Sequence, residues 1–448
     1  MAKYDKYDKY KDSGVEWLGE IPSHWDVKRL GSFFEERREK VSDVDYPALS
    51  VTKSGIVPQL DTAAKTDAGD NRKLVKADDF VINSRSDRKG SSGISPYTGS
   101  VSLISIVMEP RTIYPAYAHH LLRSYPFQEE FYRYGKGIVA DLWSTNSSEM
   151  KNILLPVIPI TEQQNIANFL DHETAKIDSL IEKQQQLIQL LKEKRQAVIS
   201  HAVTKGLNPN VSMKDSGVEW LGEVPEHWGV SRLKNIICSL ESGCSVNAAD
   251  IPAQSYELGV LKTSCVYTRS FRIEENKTVV PEDIHRVKCK IRKGAIIISR
   301  MNTPELVGAS ALVKVEADNI YLPDRLWQTK FFQNIEIDAE YLSHFMTVQG
   351  FRDQIALGAE GASSSMQNIA KEDYLNINCL VPPLKEQIEI RDFIERKLAI
   401  LSELNMKAQE AVECLKERRT ALISAAVTGK IDVRNWQNPT EAKMEFSA

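Results

Sequence analysis

The first half of this sequence contains no cysteine; all six, at 238, 244, 265, 289, 379 and 414, lie in the second half. None forms a C-x-x-C pair and no histidine cluster sits near them at zinc-ligand spacing, so free thiols are expected and a metal site is not. No apolar run approaches the roughly 18 residues that a membrane-spanning helix needs. The opening, MAKYDKYDKYK, has no apolar h-region and does not read as a secretory signal, so the chain is expected in the cytoplasm. Catalytic fingerprints are missing too. There is no G-x-x-x-x-G-K-(S/T) phosphate loop around Gly429-Lys430, no G-x-G-x-x-G, and no (N/D)-P-P-aromatic element at Val381-Pro382-Pro383-Leu384. His172-Glu173 is not H-E-x-x-H, because position 176 is lysine.

A chain of 448 residues is too long for one core, so two or more domains are expected. Its 42% hydrophobic and 26% charged residues are ordinary for a soluble globular protein. The net charge of −4, from 57 basic and 61 acidic residues, means that a nucleic-acid ligand would need the basic groups gathered on one face or positive surface from a partner.

The chain is written twice. Residues 11–30, KDSGVEWLGEIPSHWDVKRL, return at 214–233 as KDSGVEWLGEVPEHWGVSRL, an offset of 203 (214 minus 11). Only four of the twenty pairs differ: Ile21/Val224, Ser23/Glu226, Asp26/Gly229 and Lys28/Ser231. A second match joins 159–204 to 383–428 at an offset of 224 (383 minus 159), keeping Glu162/Glu386, Gln163/Gln387, Phe169/Phe393, Lys192/Lys416, Glu193/Glu417 and Arg195/Arg419. Each copy has a near-identical opening, a divergent body and a near-identical close. Fixed ends around variable bodies suggest one framework presenting two different recognition surfaces. A nuclease-like set at Glu282, Asp283, Lys288 and Lys290 has no counterpart in the first copy and reads as a surface charge run.

Each close is a long helix. No proline or glycine interrupts the stretch from Ile160 to Lys205, and Leu170, Ile177, Gln184, Leu191 and Val198 recur every seven residues, with Leu180 and Leu187 as a second line. The second copy gives Ile394, Leu401, Ala408, Leu415 and Leu422, with Leu404 and Ala411 beside them. A rod of about forty residues, about 60 Å long, needs a partner for its apolar seam. The sister rod running antiparallel is the expected one; packing on its own domain is the alternative.

The bodies, roughly 31–155 and 234–380, read as mixed strand and helix. Ser84-Arg85 and Ser299-Arg300 each follow a short apolar strand and open a polar loop ending at Gly93 and Gly308. Arginine can bond guanine with two donors, and asparagine or glutamine can pair with adenine. The DNA-contact candidates are Ser84, Arg85, Arg88, Lys89 and Ser91 in the first loop and Ser299, Arg300, Asn302 and Thr303 in the second. For Arg85 and Arg300 a bracing salt bridge is an equal alternative. The segments before each rod add Trp143, Ser144, Thr145, Asn146, Gln367 and Asn368, for which turn formation and helix capping are the alternative. Lys53, Ser54, Lys262, Thr263 and Ser264 are phosphate-contact candidates.

The opening DSGVEWLGE(I/V)P-x-HW, the P-x-x-EQ entry to a long helix and the closing K-E-(K/R)-R…I-S-x-A-V-T resemble the specificity subunits of type I restriction–modification enzymes, over residues 11–435 and in both copies. The resemblance implies an α+β fold with two mixed α/β target-recognition domains, at 1–157 and 211–381. Conserved helical regions at 158–210 and 382–435 would form an antiparallel coiled-coil spacer with a pseudo-two-fold internal repeat, followed by a flexible tail at 436–448. It implies that each domain reads one half of a bipartite asymmetric site in double-stranded DNA, while the helices set the gap and dock two methylation subunits, with two restriction subunits beyond. The chain would be non-catalytic and bind no cofactor itself. S-adenosylmethionine belongs to the methylation subunits, and ATP and magnesium to the restriction subunits. A two-domain protein-interaction scaffold is the rival reading, separable by salt dependence. The YDK-rich first ten residues and the segment after Trp436 are expected to be flexible.

Overall fold

The computed structural model describes residues 4–60, 69–137, 143–363 and 366–437. The chain divides into two compact units, Met1–Gln186 with Gln409–Ala448, and Leu187–Ala408. Each unit therefore holds one body and half of each long helix. The helices run Ile160–Lys205 and Leu384–Val427, 46 and 44 residues.

In unit 1 the shared opening folds as an antiparallel pair, Tyr10–Asp12 with Glu20–Pro22. Asp26–Arg29 then pairs with Leu154–Val157, closing the body onto the start of the first long helix. The body carries a four-stranded sheet in the order Ser92–Ile94, Phe80–Asn83, Ser105–Pro110, Phe34–Glu36. Side chains alternate across a strand, and here both faces are buried. Phe80 and Ile82 enter the main core with Tyr117, Phe127, Phe131, Leu155 and Phe169, while Val81 joins Val75, Val101 and Val107 in a smaller one.

Unit 2 repeats the plan. Met213–Asp215 pairs with Glu223–Pro225, and Gly229–Arg232 with Asn378–Val381. Its four-stranded sheet runs Ile237–Ser242, Leu326–Phe331, Ile296–Ser299, Ser310–Leu312. Ile296 and Ile298 face the main core, with Trp327, Tyr341 and Phe351, and Ile297 faces a second one with Leu261 and Cys265. The apolar runs seen in the sequence are thus central strands sandwiched between two cores, which is why they do not alternate.

Within each unit the helix segments pack antiparallel. In unit 1, Asp178 pairs with Arg419 at 2.8 Å and Asn165 reaches the Arg434 carbonyl at 3.1 Å, so partners fall in number as the first helix rises. Leu170, Ile177 and Leu422 are buried and Leu415 packs beside them. In unit 2, Ile394 is buried with Ile199 and Leu401 packs on them, while Leu191 and Val198 are half-buried. Leu180, Leu187 and Leu404 lie outside the seam, 47%, 41% and 45% exposed. Ile181 and Ile188, one residue on, take the inward positions, since successive residues point about 100° apart around a helix.

The N-terminal segment differs from the expected flexible arm. Tyr7 is buried, Tyr4 packs edge-on against Phe169 at 5.3 Å between centroids, and the Asp432 amide bonds the Asp5 carbonyl at 2.9 Å. Tyr4 and Tyr7 reach the first long helix through Glu173 and Glu162, and Tyr10 packs edge-on against Tyr7. Trp436, assigned to the flexible tail, also packs on Phe169, at 5.8 Å; residues 438–448 lie outside the described set.

Candidate nucleic-acid interface

The repeated motifs build the frame on which the variable loops sit. Pro159 ends the preceding strand connection, and the first turn of the helix places Glu162 under the opening segment. Its carboxylate accepts from Trp25 Nε1 at 3.1 Å and Tyr7 Oη at 2.5 Å, and meets His24 Nε2 at 3.0 Å. Glu386 does the same for Trp228 Nε1 at 3.1 Å and His227 Nε2 at 2.8 Å. The adjoining glutamines face the body: Gln163 Oε1 accepts from the Tyr114 amide, and Gln387 Oε1 from the Asp338 amide, each at 2.8 Å. The dipeptide Glu-Gln therefore fastens opening, body and rod at one point in each unit.

On this frame the segments singled out in the sequence converge. In unit 1 the Ser-Arg loop pairs with the segment before the rod. Arg85 bridges Ser144, Ser144 Oγ donates to Ser84 Oγ at 2.9 Å, and the Thr145 amide bonds the Ser84 carbonyl at 3.0 Å. The turn of the hairpin Leu49–Thr52/Gly55–Pro58, with Lys53 and Ser54 exposed, joins them. Arg123 Nη2 donates to the Lys53 carbonyl at 2.6 Å, and a Cβ on Gly93 would sit 3.3 Å from Gly55 Cα. In unit 2, Met301–Asn302 forms a ladder with Gln367 and Asn368. Tyr267 ties in the third segment, receiving Asn302 Nδ2 at 2.7 Å and sharing a 2.8 Å bond with Thr263 Oγ1. Arg123 and Tyr267 were not singled out in the sequence, because nothing local marks a residue whose role is to join two loops.

The candidates differ in what they leave free. Arg85 is exposed, Arg300 is half-buried, and neither is in an ion pair among the described residues; the Arg300 Nε is buried with no hydrogen-bond partner. Among the described residues no bracing salt bridge holds either of them. Arg88 is exposed, with its neighbour Asp87 at 3.5 Å. Lys89 pairs with Glu129, and Lys262 with Asp250 at 2.8 Å. Thr145 is fully buried and donates to the Phe131 carbonyl at 2.8 Å. Asn146 caps the helix Ser147–Asn152 by accepting from the Glu149 amide at 2.9 Å. Ser84, Ser91 and Ser299 are buried, Ser264 donates to Glu275 at 2.5 Å, and the Thr303 amide bonds Asn302 at 2.9 Å. Trp143 is 40% exposed. Gln367 Oε1 and Asn368 Oδ1 are buried without hydrogen-bond partners among the described residues. Residues 138–142, 364 and 365 of the pre-rod segments lie outside the described set.

Elsewhere, Glu340, His344 and Glu395 place ligand atoms within 4.8 Å of one another, but Lys314 sits against both carboxylates and makes the group an ion-pair network. The six cysteines are free, and burial raises the thiol of Cys379 to about 12. No helix among the described residues is long and apolar enough to cross a membrane.

Two divergent bodies sit on a duplicated helical frame, and each brings three loops together. No protein-family model matches the chain. Among curated proteins it is 25% identical over 206 residues to the type I restriction enzyme EcoEI specificity subunit of Escherichia coli, spanning 46% of this chain and 34% of that relative. It is 24% identical over 435 residues to the MjaVIII specificity subunit of Methanocaldococcus jannaschii, spanning 93% and 95%. Two solved structures share the fold. One belongs to a study of complex assembly in a type I R-M system (TM-score 0.69, 14% identity, 92% of this chain and 99% of that one). The other is the HsdS subunit from Thermoanaerobacter tengcongensis (TM-score 0.52, 16% identity, 92% and 98%). Over most of its length the chain is similar to type I restriction–modification specificity subunits.

Proposed function

We propose that each unit reads one half of a bipartite, asymmetric site in double-stranded DNA, and that the paired helices fix the gap between the halves and dock the methylation subunits. The observation that carries this is the convergence, in both units, of three divergent loops on one repeated frame, with Arg85 and Arg300 in no ion pair among the described residues. Arginines held without carboxylate partners are suited to guanine edges or phosphates. Unlike bodies imply unlike half-sites.

In this reading the chain performs no chemistry and holds no cofactor. Two methylation subunits supply S-adenosylmethionine and part of the basic surface that a chain of net charge −4 lacks; two restriction subunits supply ATP and magnesium. The assembly works in the cytoplasm. The test is modified-base sequencing of host DNA with and without the gene. Loss of adenine methylation at one bipartite motif on deletion is the expected result, and an unchanged methylation pattern counts against the reading.

A further inference from the structure

Unit 2 contains a pocket of about 440 Å³ lined by Arg195 and Ser402 from the two long helices and by Thr268, Arg269 and Ser270 from the body. Its two carboxylates are already engaged. Lys314 pairs with Glu340 and, at 3.4 Å, with Glu395, which also meets His344 at 3.2 Å. Arg195 and Arg269 have no carboxylate within ion-pair distance among the described residues.

The duplication provides the comparison. Arg195 and Arg419 occupy the same position of the repeat, and so do Asp178 and Ser402. In unit 1 Arg419 is neutralised by Asp178 at 2.8 Å. In unit 2 the carboxylate is replaced by a hydroxyl, and Arg195 faces the pocket unpaired. Arg269 is held there in the left-handed region, at φ 62°, with Nη1 buried and unbonded. A non-glycine residue in that conformation persists when its surroundings impose it, and such residues gather at ligand sites. Burial lowers the pKa of Arg269, and the neighbouring Arg352, pushed down to about 10 by burial and then by Arg269, adds positive charge behind it. A buried guanidinium facing a second one, neither in an ion pair among the described residues, favours an anion.

We propose that this pocket binds a phosphate group, held between the Arg195 and Arg269 guanidiniums, with the hydroxyls of Ser270 and Ser402 as further donors. The phosphate is either a DNA backbone group, in which case the proposal rests on the DNA-reading role, or that of a free phosphorylated ligand. The full chain is melted with inorganic phosphate against chloride at matched ionic strength, as wild type, S402D and R269Q. Ser402 is exposed on its helix, so S402D restores the carboxylate of unit 1 without disturbing the core.

Phosphate is expected to raise the melting temperature of the wild type by a few degrees and to lose that effect in both variants. Salt titration of binding to unrelated duplex DNA separates the sources: a slope smaller by about 1 in S402D identifies a backbone phosphate, and an unchanged slope identifies a free one. A phosphate shift as large in S402D as in wild type, or no shift in wild type together with equal salt slopes, overturns the proposal. The methylated motif in cells reports the DNA-reading role separately, so the two can fail independently.

Discussion

Trp25 and Glu162 stand 137 positions apart in sequence and are joined by a 3.1 Å hydrogen bond in the buried base of unit 1. The corresponding bond in unit 2, Trp228 to Glu386, has the same length, but its surroundings differ. The Glu162 side chain is 5% exposed and also carries the buried Tyr7 hydroxyl, whose pKa burial raises; that of Glu386 is 25% exposed and bonds no tyrosine among the described residues. Glu162→Ala strands two buried donors, so a loss of about 2–4 kcal/mol is expected from unit 1. Glu386→Ala should cost about 1 kcal/mol, since water can reach its partners. Denaturant unfolding of the two variants checks the ranking; equal losses would show that the buried tyrosine contributes nothing.

The same asymmetry appears where each long helix ends. Gly206 and Gly429 both have positive φ, 75° and 73°, as glycines past a helix C-terminus commonly do. A Cβ on Gly206 would sit 3.2 Å from Trp228, which a small shift accommodates; on Gly429 it would sit 2.3 Å from the Pro22 ring. Both alanine variants carry the left-handed strain of about 1–2 kcal/mol. Only Gly429→Ala adds a clash with the opening strand, and it should lower the melting temperature clearly more than Gly206→Ala. Matching thermal midpoints would mean that the opening strand yields at little cost.

Much of this architecture was legible because the chain repeats itself. Two rods and two bodies follow from fixed ends around a divergent middle, whereas the Glu-Gln pairs were visible only as repeated residues, not as a fastening. The rod seam was legible only in part. Leu170, Ile177 and Leu422 sit in it, but Leu180, Leu187 and Leu404 turn outward, because leucines at heptad spacing mark two neighbouring stripes and the sequence does not say which one the partner covers. At the candidate interface the loops were legible and the side chains were not. Thr145 and Asn146 have the chemistry of base readers, yet one is consumed by a carbonyl and the other by a helix cap. Whether a hydroxyl faces in or out depends on strand pairing that no local pattern records. The YDK segment misled for a similar reason: charged residues alternate with tyrosines whose rings pack inward.

Acid should loosen unit 2 through Glu395. The His344 hydrogen bond, together with Lys314, outweighs burial and holds this carboxylate at about 2. A depressed carboxylate stabilises the fold above its unfolded value, about 4.3, and that contribution disappears as pH falls from there toward 2. Glu395 is 44% exposed, so screening limits its contribution to about 1 kcal/mol. Glu395→Gln should therefore be less stable than wild type at neutral pH, and the gap should close below about pH 3. Unfolding curves at pH 7 and pH 3 check this. A gap that does not shrink would assign the loss to packing rather than charge.

Arg85 and Arg300 provide the sharpest test of recognition. Neither is part of an ion pair among the described residues, and each stands where its loop meets the pre-rod segment. Truncation to alanine removes donors from the loop without stranding a carboxylate, so stability should change by no more than about 0.5 kcal/mol. If the arginines contact bases, each variant relaxes one half of the methylated motif and leaves the other intact, with a loss of about 1–3 kcal/mol in discrimination. If they contact phosphates, affinity falls evenly across sequences and the salt slope drops by about 1. Modified-base sequencing of cells carrying either variant distinguishes these outcomes, because only base contact changes the motif on one side. An unaltered motif and methylation rate in both variants would remove the two arginines from the interface.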